Sequence, residues 1–173
     1  MFELKPSPIE VRALLGVDDL ELTDEKVGLS VYMTQLEGKL DDVHSELTEI
    51  YAELDERHKD QNTDGGHVPS LEPLNRNERK LYGTVQVLAT YELALLIAPA
   101  LPMFALKKET DGKAEGERFN TAAQDTLDAL EVQAGDLVNR TNDLLEELGY
   151  TVEVQTFLPF GVATLAVDPV TGE

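Results

Sequence analysis

The chain has 173 residues, and its 34 Asp and Glu against 14 Lys and Arg give a formal net charge of −20. This length suits one domain, or one domain with an arm, and allows a sizeable hydrophobic core. The absence of cysteine excludes disulfides, cysteine zinc sites and thiol catalysis within this chain. The strong acidity argues against capture of nucleic acid through its phosphates.

The first predicted element is a short helix near the N-terminus. Ser7 and Glu10 have the spacing of a capping box, Pro8 occupies the first helical position, and Gly16 is the expected C-terminal stop. The residues before this helix, MFELKPS, include a glutamate and no apolar run, so we expect no signal peptide.

A much longer helix is predicted from Thr23 to about His58. Acidic residues follow Thr23, and apolar residues then recur in alternating steps of four and three, which is typical of a heptad seam. His44 and His58 lie beside this seam, so we expect them to be solvated. The seam consists of Leu36, Leu40, Val43, Leu47, Ile50 and Leu54.

A polar stretch rich in glycine and proline, residues 60–75, is predicted to be a loop. Asn75 and Glu78 then give the N-cap signal of a third helix, which runs from Arg76 to about Ala98 and is the most apolar of the chain. A membrane span is the alternative, but two prolines, a glutamine and a glutamate interrupt the apolar run. We therefore expect a central helix that is buried on most sides.

Residues 104–119 break the helical pattern. Asp111-Gly112 is suited to a type I′ turn, and Phe104 and Phe119 would lie near the ends of two short strands. A small β-hairpin is predicted here, with a loop as the alternative. Its basic residues are candidate loop contacts: Lys107, Lys108, Lys113 and Arg118.

A fourth helix is predicted from Thr121 to Leu148, with Gly149 as its stop. It has a second heptad seam: Ala123, Leu127, Leu130, Ala134, Leu137, Thr141, Leu144 and Leu148. Two long helices with matched seams and two shorter ones predict a mainly α fold, a four-helix bundle formed by residues 1–150.

Residues 151–173, the C-terminal arm, are apolar and β-prone, but prolines and glycines prevent a helix. An exposed strand of this kind pairs with a sheet edge, fills a groove or is covered by a partner. We expect the arm to bind a partner, and folding back onto its own bundle is the alternative. The expected contact residues are Phe157, Leu158, Phe160, Val162, Leu165 and Val167.

Motifs that carry chemistry are absent: the sequence has no nucleophile elbow, P-loop, dinucleotide fingerprint or metalloprotease helix. Asp41 with His44 and Asp55 with His58 have spacings that could supply metal ligands. Both pairs belong to the same predicted helix, about 21 Å apart by helical rise, and no other helix offers a matching pair. We predict no catalytic residue, metal or cofactor.

The opening SPIEVRALLGV, followed by LTDEKV, resembles the start of head–tail adaptor (connector) proteins of tailed viruses. The order that follows is also similar: a long helix, an apolar helix ending in APALP, the segment KKETDGKAEGERF and another long helix. The resemblance covers residues 7–150, and the C-terminal arm agrees in character only.

The resemblance implies a structural virion protein without catalytic activity. Such proteins assemble in the host cytoplasm into a ring, commonly dodecameric, beneath the portal protein. They extend the DNA channel and present a docking surface to stopper or tail proteins, while terminal arms reach into the portal or a neighbour. DNA passes without specific binding, and no membrane is involved.

Two other classes of protein stay open on the sequence alone: an acidic helical interaction module that binds one protein through its arm, and a carboxylate-rich metal-binding bundle. The acidity also has two explanations. It suits a channel through which DNA slides without sticking, or a protein kept soluble in high salt, as in a haloarchaeal host.

Overall fold

The computed structural model describes residues 4–62, 71–101 and 116–151, with side chains of the last stretch described from residue 126 onward. Over these residues the regular structure is helical, and the predicted mainly α fold is confirmed. The elements are α1 (Pro8–Leu15), α2 (Asp24–Val27), α3 (Ser30–Val43), α4 (Leu47–Gln61), α5 (Arg76–Ile97), a 3-10 turn (Ala98–Ala100) and α6 (Gly116–Glu147).

Helix α1 begins and ends as its sequence predicts. Ser7 is the extended N-cap residue and Pro8 occupies the first helical position. Gly16 adopts φ +66°, the left-handed conformation that glycine tolerates best, and the amide of Val17 then donates to the carbonyl of Arg12 at 3.2 Å. The side chain of Ser7 makes no capping hydrogen bond, so the capping box itself is not formed.

The prediction of one continuous helix from Thr23 to His58 is wrong, because this stretch forms three helices. Helix α2 ends at Gly28, whose amide donates to the carbonyls of Asp24 and Lys26. A second break separates α3 from α4 at residues 44–46, where His44 is extended (φ −157°, ψ 129°). This second break contains neither proline nor glycine, so its cause must be sought in side-chain contacts.

The heptad seam nevertheless identifies the core correctly. Leu36 and Leu40 of α3 are buried, as are Leu47, Ile50 and Leu54 of α4, whereas Val43 is partly buried. The heptad spacing of apolar residues therefore predicts which side chains are buried, although it does not predict the break between α3 and α4. Both helices turn their apolar residues toward the same core.

Helix α5 is the central helix, as predicted. Its first turn has a complete capping box: the Asn75 side chain accepts from the amide of Glu78 at 2.9 Å, and the Glu78 carboxylate accepts from the amide of Asn75 at 2.6 Å. By length and composition, residues 76–100 could also cross a membrane, but half of their most apolar window is buried inside the protein. Helix α5 packs against α1, α3 and α4, and most extensively against α6.

Helix α6 begins at Gly116, five positions before the predicted Thr121. Arg118 and Phe119 are therefore helical, and the prediction of a hairpin arm ending at Phe119 is wrong for residues 116–119; residues 104–115 lie outside the described residues. The second seam is confirmed where side chains are described: Leu130, Ala134, Thr141 and Leu144 are buried, and Leu127, Leu137 and Leu148 are partly buried. Ala123 precedes the described side chains.

Candidate functional site

Helix α6 ends in a tight reversal of the chain at Gly149, just before the predicted C-terminal arm. Gly149 adopts φ +87°, and its amide donates to the carbonyl of Glu146 at 3.0 Å. The amide of Tyr150 donates to the carbonyl of Leu145, also at 3.0 Å. These two bonds form a Schellman motif, which satisfies the last carbonyls of the helix and turns the chain back along the body.

The reversed chain meets His44 at the break between α3 and α4. Nε2 of His44 lies 3.2 Å from the carbonyl oxygen of Thr151, and its ring meets the ring of Tyr150 edge-on, with centroids 6.3 Å apart at an interplanar angle of 77°. His44 is only 9% exposed, so the prediction of a solvated histidine is wrong at this position. Because 107 positions separate His44 from Thr151, no local pattern could reveal this contact.

The hydrogen bonds of His44 assign its tautomer. The amide of Glu46 donates to Nδ1 at 3.2 Å, so Nδ1 carries no proton and Nε2–H donates to Thr151. The carbonyl of His44 also accepts from the amide of Leu47 at 2.9 Å. One residue therefore satisfies two amides at the start of α4 and one carbonyl of the arm.

Tyr150 lies in a partly buried, acidic neighbourhood. Burial raises the pKa of the Tyr150 hydroxyl, and the carboxylates of Glu53, Glu78 and Glu46 raise it further against the opposing charge of Arg57. The hydroxyl therefore stays protonated at neutral pH. The residue before the predicted arm is thus a neutral, partly buried tyrosine near charged side chains of α4, of its N-cap and of α5.

The predicted contact residues of the arm lie beyond this point. Phe157, Leu158, Phe160, Val162, Leu165 and Val167 fall outside the described residues, as do Lys107, Lys108 and Lys113. Arg118 lies in the first turn of α6, where only the backbone is described. Of the predicted arm, the structure thus describes Thr151, which follows Tyr150; neither residue was among the predicted contacts.

Helices α4 and α5 run antiparallel and are joined by a polar network. The Tyr82 hydroxyl donates to Asp55 at 2.9 Å, the rings of Tyr82 and Tyr51 stack with centroids 5.1 Å apart, and Gln86 donates to the Tyr51 hydroxyl at 3.1 Å. Burial first, and then the neighbouring Tyr51 and Asp55, raise the pKa of Tyr82. Tyr51 and Tyr82 were not among the predicted site residues. Their spacing offered a signal: Tyr51 lies four residues before Asp55 and Tyr82 lies four before Gln86, so each pair shares one face of its helix.

A cleft of about 290 Å³ lies beside this network, between the segment before α1 and helices α4 and α5. Its lining mixes apolar and polar side chains, and Val87 within it is 45% exposed. The cleft is lined by Leu4, Lys5, Pro6, Ser7, Glu10, Tyr51, Gln86, Val87 and Thr90.

A bidentate ion pair ties α4 to the start of α5. Arg57 donates to the two carboxylate oxygens of Glu78 at 2.8 and 3.0 Å and to the carbonyl of Glu72 at 3.1 Å. Burial raises the pKa of Glu78, but the hydrogen bonds from Arg57 and from the amide of Asn75, with the charge of Arg57, outweigh burial and leave this pKa below its usual value.

The two carboxylate–histidine pairs are engaged in packing. Asp41 accepts from Thr48 at 3.1 Å, and both ring nitrogens of His44 have the partners described above. Asp55 bridges Tyr82 and Lys59, while the ring of His58 lies against Tyr82, with centroids 4.8 Å apart. In residues 4–62, 71–101 and 116–151, no three histidine or carboxylate side chains converge as a metal site would require.

Comparison of the chain with protein-family models, with curated proteins and with solved structures finds no match. The resemblance to viral adaptors thus depends on the residues quoted for it in the sequence.

Proposed function

We propose that the protein is a head–tail adaptor of a tailed virus. In this proposal, copies of the helical body form a ring between the portal protein and the stopper or tail proteins, dodecameric as is common in the family it resembles. The ring lines the channel through which the genome leaves, and the DNA passes without specific binding. The protein acts in the neck of the virion after assembly in the host cytoplasm, without catalysis and without a membrane.

The observation that carries the proposal is the contrast between the arm and the rest of the chain. Residues 154–167 contain no charged side chain, although the whole chain has a net charge of −20. A segment this apolar is most stable when another surface covers it. This segment follows Thr151, whose carbonyl is hydrogen-bonded to His44 of the helical body. A fixed first residue suits a body that presents an arm to a neighbouring protein.

The helical body supports the same proposal. The adaptor resemblance implies a small helical bundle, and the described residues are mainly helical, with α5 packed against α1, α3, α4 and α6. Exposed carboxylates on α4 and α6 would repel the phosphates of passing DNA, which suits a channel wall. Among them are Glu49, Glu53, Glu56, Glu131, Asp136, Asp143 and Glu146.

Truncation of the arm tests this function. We expect a chain that ends at Thr151 to keep the helical content of the full chain by circular dichroism, because the described core lies before this point. We expect the same chain to lose assembly on the portal protein, measured by light scattering and electron microscopy. If helical content collapses instead, the arm belongs to the core and the partner-binding role is wrong.

A matched pair of substitutions refines the test without truncation. Phe160→Ser removes an aromatic contact from the arm, and Thr164→Ser removes one methyl group from the same segment. We expect the first to weaken portal binding strongly and the second to leave it nearly unchanged. Equal binding by both variants would contradict an apolar arm contact.

Identification of the neighbours in a purified particle separates the adaptor from its alternatives. Portal and stopper or tail proteins beside this chain support the adaptor. A single 1:1 complex with a cellular protein, and no ring, supports the acidic interaction module instead. Stoichiometric Fe, Mn or Zn in the purified protein would support the metal-binding bundle.

A further inference from the structure

His44 lies in the break between α3 and α4, which the hydrogen bond from Thr48 to Asp41 also spans. Residues 44–46 are not helical, although the heptad seam continues across them and they include no proline or glycine. His44 holds the start of α4 through Nδ1 and the arm through Nε2, each at 3.2 Å. One imidazole ring thus contacts both the start of α4 and the residue at which the predicted arm begins.

We propose that His44 is a positioning residue, a latch that fixes the direction in which the C-terminal arm leaves the body. The inference deepens the proposed function, on which the arm's role in binding depends. The latch consists of the His44 ring, the ring of Tyr150 and the carbonyl of Thr151. Gly149 reverses the chain toward His44, and His44 then holds it on the face where α3 and α4 meet.

A fixed exit matters energetically because ordering a free chain is costly. Each backbone residue that becomes ordered loses conformational entropy, which opposes binding. A latch that orders the start of the arm in the free protein removes part of this cost from partner binding. Since a typical hydrogen bond contributes a factor of about two to tenfold in an equilibrium, we expect a loss of partner affinity in that range when the latch is removed.

Two substitutions separate the two nitrogens of the ring. His44→Asn retains a polar group near Nδ1 for the start of α4 and lacks one that reaches Thr151. His44→Gln retains a donor near the position of Nε2, so it can still reach the carbonyl of Thr151. His58→Ala is the matched control, because the His58 ring is partly buried and packs on Tyr82 rather than on Tyr150.

The start of the arm can be observed directly by pulsed electron paramagnetic resonance. The chain has no cysteine, so spin labels at Glu131→Cys and Thr151→Cys, both exposed positions, report one distance. We expect one narrow distance distribution for the parent, for His44→Gln and for His58→Ala, and loss of the narrow peak for His44→Asn. A narrow peak in His44→Asn would overturn the latch.

A measurement on the unsubstituted chain covers the case in which the His44 variants do not fold. The imidazole ¹⁵N shifts of His44 report which nitrogen carries the proton, and we expect Nε2–H with unprotonated Nδ1. The opposite tautomer would overturn the latch. Neither the spin-label distances nor the ¹⁵N shifts involve a partner protein, so a negative result would contradict the latch and not the adaptor function. The adaptor function is tested separately, by truncation of the arm.

Discussion

At the residue scale, the Arg57–Glu78 pair is the clearest stabilising contact outside the hydrophobic core. Both side chains are mostly buried, at 15% and 17% exposure, and the carboxylate also completes the capping box of α5. We expect Glu78→Gln to lower the free energy of unfolding by about 1–3 kcal/mol at pH 7, measured by urea unfolding. Glu49→Gln removes the same charge from an exposed position of α4 and should cost less than about 0.5 kcal/mol.

The pH dependence of the stability that this pair contributes follows from the direction in which the pKa of Glu78 is shifted. Because the pKa of Glu78 is lowered in the folded protein, the carboxylate contributes stability above its unfolded pKa, and this contribution is lost as the pH falls through the folded pKa. The difference between the parent and Glu78→Gln should therefore shrink on acidification. A difference that stays constant would contradict the ion pair as its source.

Glu92 has the opposite behaviour. Burial on the central helix raises its pKa, Asp42 adds to this, and Lys39 only partly offsets it. Because the pKa of Glu92 is higher in the folded protein than in the unfolded chain, the free energy of unfolding falls as the pH rises from the unfolded-state pKa to the folded-state pKa. We expect Glu92→Gln to stabilise the protein at pH 7, on the order of 1 kcal/mol in thermal unfolding.

The matched control for Glu92 is Glu56→Gln, which removes one negative charge from an exposed position of α4. It reports the gain that comes only from lowering the net charge. If both variants gain equally, burial of Glu92 is not the cause.

At the scale of the elements, the end of α6 is determined by the backbone conformation of one glycine, and a second glycine inside the same helix provides the comparison. Gly149 has φ +87°, while Gly135 is helical, and an added methyl group would meet open space at both. We expect Gly149→Ala to destabilise the protein by about 1 kcal/mol and Gly135→Ala to stabilise it by about 0.5–1 kcal/mol, measured by thermal unfolding. The same sign for both substitutions would mean that backbone conformation does not decide these positions.

Local signals explain how much of the fold the sequence could predict. The stop at Gly16, the capping box at Asn75 and the reversal at Gly149 depend on neighbouring residues, so these ends of α1, α5 and α6 follow from short patterns. The heptad pattern continues across the break between α3 and α4, so it could not reveal the break. The contact of His44 with Thr151 joins residues 107 positions apart and leaves no local signal either. The arm is predicted from its composition, whereas the contact of Thr151 with His44 needed the three-dimensional structure.

At the scale of the whole molecule, the net charge of −20 opposes both folding and assembly. Like charges repel within one compact chain, and the repulsion increases when copies pack side by side. Salt screens it, since the Debye length falls from about 10 Å at 0.1 M to about 3 Å at 1 M. A ring of such subunits therefore needs screening or a strong apolar contact, which the arm would supply.

We expect the unfolding temperature to rise by several degrees between 0.1 and 1 M NaCl, on the order of 1 kcal/mol of stability. Self-association measured by light scattering should strengthen over the same range. A variant in which Glu49, Glu53 and Glu56 are all replaced by Gln should show a smaller salt dependence of both quantities, because three exposed charges of α4 are gone. An unfolding temperature that does not change with salt would show that repulsion between carboxylates does not limit stability. The acidity would then be explained by repulsion of passing DNA rather than by adaptation to high salt.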